Sequence, residues 1–243
     1  MRTSAPTMTD DNHPITRVYD GANDMLTDRR SFMSGAAKLG VGGALLSYVG
    51  SGSVAADHDQ EEVTDVDILN YALTLEHLEA NYYTEALERY GEDHFEGVGS
   101  PGDDTFDTAR PRYGTYQQYE KIRDHEIAHV ETLSSVIEDL GGDPVEAADY
   151  EFPYSSVQEF VELSATIEDV GVSAYAGAAP MIQNKDLLAA ALSIHSVEAR
   201  HATYIRLQRE NLSIPFRGDA GAFDPARSME EVVAIASQFI VSD

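Results

Sequence analysis

Of the 21 glutamates in the chain, two have a histidine three residues on: Glu126 with His129 and Glu198 with His201. Two others have a tyrosine seven residues on: Glu76 with Tyr83 and Glu168 with Tyr175. The pairs alternate along the chain as Glu-x6-Tyr, Glu-x2-His, Glu-x6-Tyr, Glu-x2-His, a two-fold internal repeat. On an α-helix, residues three apart lie about 60° apart around the axis and about 4.5 Å along it, so a Glu and a His can reach one cation together. Residues seven apart fall nearly on one line, about 10.5 Å apart, which sets each Tyr two turns from its Glu, beside the groups that surround a ligand.

These residues stand where an apolar side chain is due. Four segments show apolar residues at alternating spacings of three and four, the mark of a helix with one buried stripe. The first covers about 64–90, with stripe Leu69, Leu73, Glu76, Ala80, Tyr83, Leu87 and Tyr90. The second covers about 113–140, with Ile122, Glu126, His129, Leu133, Val136 and Leu140. The third covers about 156–179, with Val161, Ser164, Glu168, Gly171, Tyr175 and Ala178. The fourth covers about 184–210, with Leu187, Ala191, Ile194, Glu198, His201 and Ile205. A short fifth helix is expected near 228–240. An ionised carboxylate in a core must pair, neutralise or bind a metal. Four glutamates and two histidines meeting inside one bundle would satisfy each other through cations.

The connections suit a bundle. Residues 91–112 read as a Gly/Asp/Pro-rich solvated loop with no period, whose acids lack the spacing of an EF-hand. Residues 141–155 are long enough to cross the bundle, at roughly 3.3 Å per extended residue. Residues 180–183 are short, so the third and fourth helices should be antiparallel neighbours. The expected fold is therefore all-α: a four-helix bundle with one long crossover between helices 2 and 3.

With these motifs the sequence resembles the ferritin-like di-metal carboxylate superfamily, whose pattern is one Glu from each of two helices and Glu-x-x-His from each of the other two. The segments Leu75-Glu76-His77-Leu78-Glu79-Ala80, Ile167-Glu168-Asp169-Val170-Gly171-Val172-Ser173-Ala174-Tyr175 and Val197-Glu198-Ala199-Arg200-His201 carry a narrower resemblance. It is to the exported ferritin-like family that includes desiccation- and stress-related proteins. The resemblance implies a ferritin-like bundle over 66–210 and a dinuclear metal centre. Glu76 and Glu168 would then be terminal ligands, one per metal, Glu126 and Glu198 would bridge, and His129 and His201 would each complete one metal. Such ligands suit two Fe, or alternatively two Mn, with positions open to oxygen or peroxide. Tyr83 and Tyr175 are the candidates for a redox or hydrogen-bonding role beside the ligands. Glu79 lies one turn from Glu76, and its repeat partner is Gly171, which gives it a flanking place. His125 and His195 flank the stripes as structural or ligand-orienting groups. His58, His77 and His94 read as surface histidines.

Charge and the N-terminus bound the rest. The chain holds 43 acidic and 16 basic residues, a net charge of −27, with no Cys. That balance excludes nucleic-acid binding by phosphate neutralisation and electrostatic adhesion to an anionic membrane. It also excludes thiolate metal sites and disulfides. Acid loading with only three Lys suits a halophile's protein in concentrated salt. Arg29-Arg30-Ser31-Phe32-Met33, a mild apolar stretch from Ala36 to Val49 and Val54-Ala55-Ala56 look like a twin-arginine export signal that follows a polar stretch 1–28, the two together making up 1–56. Asp28 departs from the Ser or Thr usual at that place. The expected domain is 57–243, extracellular or at the cell surface, with no stable membrane insertion after cleavage. A homo-oligomer is compatible with the sequence. The first functional expectation is a di-iron oxidoreductase acting on Fe(II) with oxygen or peroxide, or removing peroxide. The alternatives are a di-manganese catalase-like enzyme and a stress protein whose metals only hold the bundle together.

Overall fold

The structure, a computed structural model, describes residues 63–95, 114–209 and 222–241. The expected export signal, His58 and most of the 91–112 connection lie outside these residues. Four long helices form the bundle: α1 (Asp65–Arg89), α3 (Thr115–Asp139), α4 (Val157–Ala178) and α5 (Lys185–Arg209). A short α2 (Glu92–Phe95) follows α1, and α6 (Met229–Ala236) lies near the C-terminus. The expected bounds hold to within one or two residues at every long helix. Among the described residues no strand forms, only an isolated antiparallel bridge between Tyr150 and Ile240.

Local chemistry sets the helix ends. Thr64 Oγ1 accepts from the Asp67 amide at 3.2 Å and Asp67 Oδ2 accepts from the Thr64 amide at 2.8 Å, a reciprocal cap on two otherwise unpaired donors. Ser228 and Glu231 repeat this cap on α6. Gly141 ends α3 with φ of 79°, the left-handed conformation that costs a glycine nothing.

The crossover then fixes the direction of the second pair. It leaves α3 beside Val66, at the start of α1, and is held along α1 by three clasps. Asn70 donates to Asp143 O at 3.1 Å and accepts from the Val145 amide at 2.8 Å. A His77 ring nitrogen lies 3.1 Å from Val145 O. At the far end, Arg89 donates to Tyr154 O and the Tyr154 hydroxyl donates to Glu85. Helix α4 therefore starts at the end of α1 and runs antiparallel to it. His77, expected at the surface, is half-buried as part of this clasp.

Two apolar clusters flank a polar layer. One holds Leu69, Leu73, Leu133, Ile137 and Ile194. The other is aromatic, with Tyr82, Tyr83, Phe95, Tyr119, Phe152 and Phe160. Two expectations need correction here. Leu140, given to the second stripe, is 45% exposed, whereas Ile137 is fully buried, because α3 ends at Asp139 and the chain turns away through the left-handed Gly141 just after Leu140. The 91–112 segment is not loop throughout: α2 plants Phe95 in the core, 5.1 Å from the Tyr119 ring.

Gly177 allows the C-terminal segment to approach α4. A Cβ there would stand 1.8 Å from Arg227 O. The contact is held by the Arg227 amide on Ser173 O at 3.2 Å and the Arg227 guanidinium on Ser173 Oγ at 2.7 Å. Gly177→Ala is expected to displace this segment and lower stability by about 1–3 kcal/mol, the usual cost of overpacking. Chemical unfolding checks it.

Candidate metal centre

Each bundle helix delivers its chemistry to the polar layer from the stripe that should be apolar. Glu76 comes from α1, Glu126 and His129 from α3, Glu168 from α4, and Glu198 and His201 from α5. All four glutamates are fully buried, and His129 and His201 are 9% and 4% exposed. The structure thus brings together all six residues singled out from the sequence.

Two groups arise, each with ligand-type atoms within 4.8 Å of one another: Glu76, Glu126, His129 and Glu198, and Glu126, Glu168, Glu198 and His201. Glu126 and Glu198 belong to both. Glu126 Oε2 lies 3.0 Å from His129 Nδ1, and its Oε1 lies 2.8 Å from His201 Nδ1. Glu198 Oε1 is 3.4 Å from His129 Nδ1 and 3.8 Å from His201 Nδ1. Glu76 approaches only His129, at 3.0 Å, and Glu168 only His201, at 3.6 Å.

The electrostatics match an arrangement built around cations. Burial first, and then the neighbouring carboxylates, push Glu126 and Glu198 well above the ordinary carboxylate range. Burial also pushes Glu168 up to about 8, against the lowering effect of a hydrogen bond from Tyr83. Burial lowers His201 to about 3, with the nearby His125 and His129 adding to the effect. Glu126 Oε1, Glu168 Oε2, both Glu198 oxygens and His201 Nδ1 are buried with no hydrogen-bond partner, although His201 Nδ1 and Glu126 Oε1 are close. Orphaned buried acceptors of this kind carry a desolvation cost that a shared cation removes. The residues present therefore fit a pair of metal ions bound by carboxylate and imidazole.

The tyrosines are placed by the fold rather than by their own helices. Tyr83 on α1 donates to Glu168 on α4, and Tyr175 on α4 donates to Glu76 on α1, both at 2.5 Å. Each tyrosine thus serves the glutamate of the other repeat. Spacing along one helix cannot reveal this exchange; the antiparallel run of α1 and α4 produces it. Tyr83→Phe leaves Glu168 Oε1 without its donor and is expected to lower stability by about 1–3 kcal/mol. Calorimetry of the metal-free protein checks it.

The other flanking residues also find definite places. Glu79 is buried near Glu198, in space left by Gly171: a Cβ at 171 would lie 2.8 Å from Glu79 Oε1 and 3.1 Å from Glu198 Oε2. Burial and the charges of Glu198, Glu76 and Glu168 push Glu79 well up. His125 is half-buried, and its Nδ1 lies 2.9 Å from His201 Nε2. His195 is half-buried but belongs to neither metal group. His94 is exposed, as expected, with its ring 5.7 Å from that of Tyr90.

A sequence model of the ferritin-like domain matches residues 64–211, the span that contains the whole bundle. No curated protein matches the chain. No helix among the described residues is long and apolar enough to cross a membrane.

Proposed function

The chain belongs to the ferritin-like domain family, and from that premise we propose that it binds two iron ions in the polar layer and reacts them with oxygen or peroxide. The observation that carries this reading is the sharing of Glu126 and Glu198 between two otherwise separate Glu/His groups. Glu76 and His129 would hold one ion, and Glu168 and His201 the other. Carboxylate and imidazole ligands suit iron, and equally manganese, so the metal is the first point to test. When bound, two iron ions supply the electrons that reduce the oxidant.

The chain's own residues do the rest. Glu126 and Glu198, deprotonated when cations bind, would supply negative charge between the two positions. Tyr83 and Tyr175 each fix one oxygen of Glu168 and Glu76, leaving the other oxygen for the metal. Fully buried aliphatic and aromatic side chains on both sides of the layer exclude bulk water from it. Twin arginines at Arg29-Arg30 before a mild apolar stretch support export, and the acid loading supports service in concentrated salt. Both fit a stress-defence protein of the exported ferritin-like kind, outside the cell or on its surface.

The test is to mix Fe(II)-loaded protein with oxygen, and separately with hydrogen peroxide, and follow Fe(III) absorbance. Oxidation much faster than for free Fe(II), lost in Glu198→Gln, is expected. Oxidation at the rate of free iron with both oxidants would contradict the proposed activity, and a centre that still raises the melting temperature would then be structural.

A further inference from the structure

The two halves of the metal layer are not equivalent, and the difference lies behind the histidines. His201 presents Nδ1 to the carboxylates, with Glu126 Oε1 at 2.8 Å. To bind a cation there, His201 must keep the Nδ1 lone pair free and carry its proton on Nε2. His201 is only 4% exposed, so an Nε2–H without an acceptor would be a buried unpaired donor. His125 Nδ1 sits 2.9 Å from that Nε2, the two rings being within 12° of parallel. The 72-residue step that carries Glu126 to Glu198 and His129 to His201 carries His125 to Val197. The repeat therefore places no acceptor behind His129 at the equivalent position.

We propose that His125 is a positioning residue that selects the cation-binding tautomer of His201 and so makes the Glu168–His201 position the tighter of the two. The His201 Nε2–H donates to His125 Nδ1, while His125 keeps its own proton on Nε2 toward the half-exposed side. The two positions then fill in order, the His201 position first. This inference rests on the two-metal reading above. Partners behind metal-ligating histidines commonly govern affinity by about 10–100-fold, which sets the expected size of the effect.

The test is anaerobic Co(II) titration of the full chain, read by visible absorbance. Wild type should fill in two steps. His125→Ala should weaken the tighter step by about 10–100-fold and leave the other unchanged. His125→Gln, which keeps an acceptor, should restore most of the loss, and a merely space-filling role would not predict that rescue. In a His201→Ala background, where only the His129 position remains, His125→Ala should have no effect. Two wild-type steps that are both indifferent to His125→Ala, or both weakened equally, would overturn this inference alone. A wild-type chain that takes up no Co(II) would overturn it together with the two-metal reading. Metal-free melting curves of each variant separate lost folding from lost binding.

Discussion

Glu198→Gln is expected to abolish binding at both metal positions, whereas His201→Ala is expected to remove one. Glu198 belongs to both Glu/His groups, with Oε1 within 3.4 Å of one histidine nitrogen and 3.8 Å of the other. His201 belongs to one group only. A chain that binds about two metals should therefore fall to none in the first variant and to about one in the second. Glu126→Gln should behave like Glu198→Gln, and Glu168→Gln like His201→Ala. The metal-free Glu198→Gln protein should be no less stable than wild type, because its neutral amide removes a buried carboxyl that faces Glu126, Glu76 and Glu168. Loss of metal with retained folding is what distinguishes a ligand from a packing residue. Elemental analysis together with thermal melts of the same samples reads both.

The metal-free protein is expected to lose stability as pH rises from about 6.5 to about 8. Glu168 titrates at 4.5 when unfolded and at about 8 when folded, so its protonated form is favoured by folding. A carboxyl of this kind contributes stability that is fully present below the unfolded value and is lost as pH climbs through the folded one. Glu126, Glu198 and Glu79 shift the same way and add to the fall. His201 acts outside this window, since its shift from 6.5 to about 3 costs stability only below pH 6.5. Above that point the carboxyls act alone. Across the final 1.5 units Glu168 by itself accounts for about 2 kcal/mol. Bound metal should reverse the trend, because it needs deprotonated ligands and its affinity rises with pH. Melting temperatures at pH 6.5 and 8, with and without Fe(II), should diverge. Equal stability of the metal-free protein at both values would contradict the electrostatics of the layer.

Much of this architecture is legible in the residues because the repeat is strict. Two Glu-x-x-His pairs and two lone glutamates, all on apolar stripes, identify the polar layer before any coordinates. The helix limits follow from the same period and from breakers such as Gly91, Gly141 and Pro180. What escapes is whatever depends on a neighbouring helix. Tyr83 lies on the line of Glu76, yet it donates to Glu168 because α4 runs antiparallel alongside. His77 has the look of a surface residue until the crossover is laid against it. Phe95 is one of two phenylalanines in a Gly-, Asp- and Pro-rich stretch with no period to mark it, and the aromatic cluster explains its burial. Gly171 reads as a small residue on a stripe, and its purpose emerges only when Glu79 fills the space a side chain would take.

The most direct measurement is the metal content of the protein purified from its native host without added metal. About two iron ions per chain are expected, at the positions shared through Glu126 and Glu198. About two manganese ions would keep the dinuclear centre and redirect the chemistry to peroxide disproportionation. A chain that carries no metal, and takes up neither Fe(II) nor Mn(II) when offered them at neutral pH, would contradict the account at its centre.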